Sequence, residues 1–301
     1  MSLLVVGSVA FDSIHTPTAQ RDRVLGGSAV YFSYAASYFT PVRLVGVVGE
    51  DWPAEHTEML TNRRVDMSGL QIKAGEKTFF WKGKYMPNMN DRETLEVELN
   101  VFGDFDPHVP EEFRDSRYVF LANGSPVVQG KVLDQVKDPA LVVADTMDLW
   151  IQTQHPDLVK LLKRIDGLVI NDSEAKLLTE EENLVRAGKK IREMGPRFVI
   201  VKKGEHGAMF FGEDSVFTLP AYPTDEVVDP TGAGDSFAGG MMGFIAAQDK
   251  HDEETLKRSL AYGTLVASFN VEDFSLERMQ RIELGDLDRR LEMYQKMLSI
   301  A

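Results

Sequence analysis

With 301 residues, 43% of them hydrophobic, the chain can bury a substantial core as one large domain or as a domain with an appendage. Its 47 acidic residues outnumber 33 lysines and arginines, for a net charge of −14, and no basic cluster is long enough to track a nucleic acid backbone, so no nucleic acid partner is expected. Cysteine is absent, which excludes disulfides, thiolate metal sites and cysteine nucleophiles, and no apolar run approaches the roughly 18 residues of a membrane span.

In chain order, short apolar runs alternate with helical patterns. Runs at 3–6, 43–48, 118–121, 141–144, 168–170 and 198–201 read as strands buried on both faces, and segments 28–39, 54–63, 127–136, 157–164, 173–179 and 183–194 carry helical spacing. The alternation predicts an α/β fold with a mostly parallel central sheet, helices on both faces, and ligands beyond the carboxyl ends of the strands. The opening MSLLVVGSVAFD shows neither a basic region nor a cleavage site, so no signal peptide is expected and cytoplasmic residence is the default. Two segments break the pattern. Residues 13–24 are polar, and 78–99 alternate as an antiparallel ribbon, with Phe79, Trp81 and Tyr85 on one side and Lys82 and Lys84 on the other. Such a ribbon either covers a site or forms a surface or dimerisation sheet.

Several junctions carry polar or glycine motifs. Gly26 and Gly27 precede a helix for which Ser28 is a natural N-cap; paired glycines there serve packing or let a hydroxyl-rich ligand approach the backbone. Asn171 and Glu174 stand three apart where a strand meets a helix, a spacing that suits either a helix cap or Mg²⁺ held through water. Lys202 and Lys203 open a glycine turn with Gly204 and Gly207, where a lysine either reaches an anion or is solvated. At 229–240 the sequence DPTGAGDSFAGG runs a glycine-rich turn into an apolar helix with Phe237, Met241, Phe244 and Ile245 at helical spacing. Free N–H groups and the positive end of the helix dipole suit a phosphate there, and Asp235, awkward beside an anion, reads as a general base or as an ordinary cap. A helix at 260–269 with small residues leads to Asn270, and an amphipathic helix at 287–297 closes the chain.

DPTGAGDSFAGG resembles the C-terminal signature of the ribokinase/PfkB-type family of carbohydrate and nucleoside kinases, with Pro230 standing where Ser or Thr is usual. The resemblance implies an ATP-dependent phosphotransferase in which Asp235 is the base and the backbone of Gly232, Ala233 and Gly234 is the anion hole. It implies a ribokinase-like three-layer fold over 1–301 as a single domain, with a β-sheet lid inserted at about 13–24 and 75–104 that closes on the acceptor and can pair two copies as a homodimer. The acceptor is a small-molecule hydroxyl compound, bound at Asp12, whose carboxylate could accept from two neighbouring hydroxyls, and at Gly26, Gly27, Ser28 and Asn123. ATP is implied at Lys202, Gly204, Gly207, Thr231, Ala267 and Asn270, Mg²⁺ at Asn171 and Glu174 through water, and K⁺ at carbonyls around 229–231. Many sugar kinases of the family carry an Asn shortly after the paired glycines; Tyr31 and Phe32 occupy that stretch here, as in the branch with nucleoside and inositol kinases.

Three function classes follow: a small-molecule kinase, a family member that has lost catalysis and acts as a ligand sensor or regulatory protein, and a dinucleotide-binding oxidoreductase. Retention of Asp235, the glycines and Glu174 argues against the second. The third lacks a G-x-G-x-x-G turn after the first strand, where the chain reads GSVAFD.

Overall fold

The apolar runs pair into one nine-stranded sheet, seen in a computed structural model that describes residues 2–299. In chain order the strands are β1 (Leu3–Val6), β2 (Ala10–His15), β3 (Gln20–Gly26), β4 (Val42–Gly49), β5 (Val65–Lys73), β6 (Phe79–Tyr85), β7 (Arg92–Glu98), β8 (Tyr118–Leu121), β9 (Leu141–Asp145), β10 (Gly167–Asn171), β11 (Phe198–Lys202), β12 (Ala208–Phe211) and β13 (Val216–Leu219). The helices are α1 (Ser28–Ala36), α2 (Ala54–Asn62), α3 (Pro126–Leu133), α4 (Asp148–Thr153), α5 (His155–Leu162), α6 (Asp172–Thr179), α7 (Leu184–Glu193), α8 (Ala233–Gln248), α9 (Glu253–Asn270) and α10 (Leu284–Leu298).

The large sheet runs β13-β12-β11-β10-β9-β8-β1-β4-β5, parallel from β11 to β5, with β12 and β13 antiparallel at one edge. Its inner strands are apolar without alternation because both faces are covered. Leu3 and Val5 join a core with α1, α8 and α9, while Leu4 and Val6 face a second core with α3, α5, α6 and α7. The sheet order turns back at β1, which lies between β8 and β4, so the chain leaves β1 and β8 toward opposite edges of the sheet. Small residues bring α8 against α1: a Cβ at Gly243 would fall 2.8 Å from the Ala36 Cα, and one at Gly239 would overlap the Phe32 carbonyl.

The segments that break the alternation form a second sheet, β3-β2-β6-β7. Here β2 runs parallel to β6, with Asp12 opposite Trp81, and each is flanked by an antiparallel partner. Two local expectations shift. Ser28 is the first residue of α1 and not its cap; Gly27, with φ of 100°, holds the cap position, and the Ser28 hydroxyl is spent elsewhere. Helix α8 begins at Ala233, three residues before the apolar periodicity becomes visible, so Asp235 lies inside its first turn.

The packing at β8 generates a stability prediction. Phe120 is fully buried and stacks on Phe32 with ring centroids 4.3 Å apart. Phe120→Ala should lower the unfolding free energy by about 3–5 kcal/mol in a urea titration, the cost of a large unfilled cavity in a sheet-helix core.

Candidate active site

The glycine turn before α8 is held from below by side chains. Asp229 is buried and accepts hydrogen bonds from the Thr231 N–H at 2.9 Å and the Ser275 N–H at 3.3 Å. Asn270, also buried, donates to the Thr231 carbonyl at 2.8 Å and accepts from the Ser236 hydroxyl at 3.0 Å. The Thr231 hydroxyl donates to Tyr85 of the small sheet at 3.1 Å. Gly232 caps α8 in a left-handed conformation, φ 74°, and a Cβ there would overlap the Tyr31 ring. Of the amides in the turn, that of Ala233 donates to the Pro230 carbonyl at 3.2 Å. Those of Gly232 and Gly234 have no protein acceptor among the described residues, which leaves two N–H groups at the positive end of a 16-residue helix.

Beside this turn, three adjacent strands end on polar residues: Asp145 on β9, Asn171 on β10 and Lys202 on β11. Pairing puts Asn171 opposite Lys202, and the Lys202 Nζ lies 3.3 Å from the Asp145 Oδ2. The other Asp145 oxygen accepts from the Thr146 N–H at 2.7 Å. A Cβ on Gly234 would come within 2.8 Å of the Lys202 Nζ, so glycine makes room for the ammonium next to the turn. Burial pulls the Lys202 ammonium down, but the charges of Asp145, Glu174 and Asp235 outweigh it and hold the group above its ordinary value. The same burial, with Asp145 adding repulsion, pushes Asp235 up to about 7 and Glu174 up to about 7, against the pull of Lys202 and Arg92. The Asp235 carboxyl makes no hydrogen bond to another residue among those described, only one with its own backbone N–H, so it is not serving as a cap. A carboxylate poised near neutrality in a cleft can exchange a proton at working pH.

Asn171 and Glu174 realise the capping arrangement in full. The Asn171 Oδ1 accepts from the Glu174 N–H at 2.8 Å and the Ser173 hydroxyl at 2.7 Å, and the Glu174 Oε2 accepts from the Asn171 N–H at 2.9 Å. Lys202, far from being a solvated turn residue, is the buried cation of the cluster; the side chain of its neighbour Lys203 has no such partner among the described residues.

Asp12 is buried on β2, and the small sheet brings it toward the turn. Burial first, then the charges of Asp229 and Asp235, push it up to about 8, while the Gly27 N–H and Arg92 pull it down. Gly26 exists for this carboxylate, since a Cβ there would overlap it. Ser28 and Asn123 are tied into the frame: the Ser28 Oγ accepts from the Ser8 N–H at 3.1 Å and donates to the Asn123 carbonyl at 3.3 Å. The Asn123 side chain accepts from the Trp150 Nε1 at 3.0 Å and donates to the Met147 Sδ at 3.1 Å.

On the other side of the turn lies a cavity of about 470 Å³. Ala233, Gly234, Lys202, Gly204, Gly207 and Ala267 line it, with Phe237 and the 220–224 loop making an apolar far wall. The structure thus gathers these six around one cleft and sets Asp12, Gly26 and Gly27 across the turn from it. Thr231 and Asn270 are not on its wall; their polar groups are consumed in fixing the turn. The carbonyls of Pro230 and Thr231 accept from the Ala233 N–H and Asn270. Asp145 is a site residue that the sequence motifs do not reveal, whereas the surroundings of Arg92 belong, with those of Asp12, Gly27 and Asn123, to the loops expected to bear on acceptor choice. A polar residue ending an apolar run was the available signal for the first. Arg92, opposite Tyr85 at the start of β7, acts electrostatically on Asp12, Glu174 and Asp235 at once.

The chain belongs to the pfkB family of carbohydrate kinases, whose sequence profile matches residues 2–280. It is 29% identical over 251 residues to the cytidine kinase of Thermococcus kodakarensis, covering 80% of this chain and 87% of that one. With the nucleoside kinase of Methanothermobacter thermautotrophicus it shares 29% identity over 295 residues, 90% of this chain and 89% of that protein. An Escherichia coli structure assigned as a ribokinase II, in complex with ATP and Mg²⁺, superposes with a TM-score of 0.80 at 21% identity, over 97% of this chain and 99% of that one. The central and small sheets are those of the ribokinase-like fold.

The electrostatics of Asp12 generate a pH prediction. Its folded-state value, about 8, lies above the ordinary 3.8, so the stability it contributes is complete below about pH 4 and is lost as pH rises toward 8. The urea midpoint of the ligand-free protein should fall between pH 5 and pH 8, and Asp12→Asn should flatten that fall.

Proposed function

We propose that the chain catalyses in-line transfer of the ATP γ-phosphoryl group to a hydroxyl of a ribonucleoside, with Asp235 as the base. The observation that carries the reading is the position of Asp235: in the first turn of α8, beside two unpartnered amides and Lys202, with an acceptor-side carboxylate on one hand and an apolar cavity on the other. Asp235 takes the proton of the acceptor hydroxyl as that oxygen forms its bond to phosphorus and the bond to the leaving ADP oxygen breaks. The amides of Gly232 and Gly234, with Lys202, face the negative charge that spreads over the transferring oxygens. Asp12 accepts from two neighbouring hydroxyls of the acceptor, and the small sheet acts as a lid of a single domain, keeping water from the reaction. The nucleoside assignment is supported by the cytidine and nucleoside kinases that match this chain at 29% identity over 80% and 90% of its length.

Mg²⁺ suits this donor set in one way. Glu174 keeps one oxygen outside its cap, the Asn171 oxygen is already taken twice, and no group of three acids or histidines able to hold a metal occurs among the described residues. The ion would therefore enter with the nucleotide phosphates, held by them and by Glu174 with much of its water retained, and supply charge neutralisation there.

An assay of ADP release over nucleosides, myo-inositol, ribose and fructose should show turnover with nucleosides; turnover with the free sugars alone would overturn the acceptor assignment. With the accepted nucleoside, Asp235→Asn should depress kcat by roughly 10²- to 10⁴-fold and leave ATP affinity largely intact. Unchanged turnover would remove Asp235 from the role.

A further inference from the structure

The hairpin joining β6 to β7 reaches past the acceptor side. Its turn is well made: the Met86 N–H donates to the Asp91 carbonyl at 2.8 Å, the Asn88 Oδ1 accepts from the Asn90 and Asp91 N–H groups at 3.2 and 3.0 Å, and Met89 takes a left-handed φ of 55°. This end of the ribbon meets both the glycine turn and the turn after β11. Tyr85 accepts from Thr231 of the glycine turn, Met89 packs in a small apolar cluster with Phe274 and Val228, and the Asn90 Nδ2 donates to the Glu205 Oε1 at 3.2 Å. Glu205 belongs to the turn after β11 that holds Gly204 and Gly207, and a Cβ on Gly204 would stand 2.7 Å from the Asn90 Oδ1. Asn88, Met89 and Asn90 line the same cavity as Lys202, Ala233 and Gly234. Asp12 is carried by the same small sheet, paired through β2 to β6.

We propose that Asn90 is a binding residue for the phosphate-donor nucleotide, so that the sheet covering the acceptor also carries part of the donor site. This rests on the phosphotransfer reading above. A carboxamide on the cavity wall can donate to a phosphate or ribose oxygen, and in the ligand-free protein its donor is occupied by Glu205, an exposed carboxylate that nucleotide can replace. The sheet then senses the donor directly, and nucleotide alone orders the hairpin whether or not an acceptor is present.

Calorimetric titration with AMP-PNP and MgCl₂, with no acceptor, tests this. Asn90→Ala should weaken binding roughly tenfold, as loss of a hydrogen bond to a charged group does, with its thermal midpoint in the absence of nucleotide unchanged. Glu205→Ala, which frees Asn90, should bind as well as wild type or better. Amide hydrogen exchange at 86–91 in the wild-type protein should slow on adding AMP-PNP alone. Equal weakening by Asn90→Ala and Glu205→Ala would reduce the pair to a latch and overturn the proposal, as would wild-type binding that Asn90→Ala leaves untouched. A wild-type protein that fails to bind AMP-PNP would overturn the phosphotransfer reading, and this inference with it.

Discussion

One ammonium group among carboxylates organises the cleft. Lys202 lies at the end of β11, paired with Asp145 two strands away and within electrostatic reach of Glu174 and Asp235. Each carboxylate is taken out of water at a cost, and the lysine is the strongest influence opposing that cost at Asp145, Glu174 and Asp235. The register of β9, β10 and β11 fixes where these groups meet, and the missing Cβ of Gly234 fixes how close the cation comes to the turn. A parallel sheet with both faces covered has only its strand ends available for polar residues, and here the cluster occupies three of them in succession.

The glycine turn is equally constrained, by side chains packed behind it. Asp229, Asn270 and Tyr85 together satisfy the donors and the acceptor of Thr231, while Tyr31 fills the space beneath Gly232. Amides held this way need little reorganisation when charge develops before them, which is the condition under which such donors act most strongly. The glycines allow the shape of the turn; the buried polar residues enforce it.

Strands buried on both faces write themselves into a sequence as unbroken apolar runs, so the central sheet and the order of its helices were legible. The glycine turn was legible because positive φ and close approach restrict residue type. The start of α8 was not, since Ala233, Gly234 and Asp235 carry no periodicity. Asp145 escaped because its partner is 57 residues away and becomes a neighbour only through sheet order. Asn123 and Asn270 show what a sequence hides about an amide near a cleft: each holds protein partners at both ends, Trp150 and Met147 for the first, Ser236 and Thr231 for the second. Residues 171–174 allowed a cap or an ion site, and the capping geometry is present in full while Glu174 also belongs to the charged cluster.

Glu174 therefore serves two masters with its two oxygens. One accepts the Asn171 N–H and starts α6; the side chain as a whole contributes charge at the cleft. A glutamine there could still cap the helix but would carry no charge, whereas an aspartate would keep the charge on a stem too short for the same cap. Serving both roles therefore requires one side-chain length and one charge, which couples the first turn of α6 to the cleft beside it.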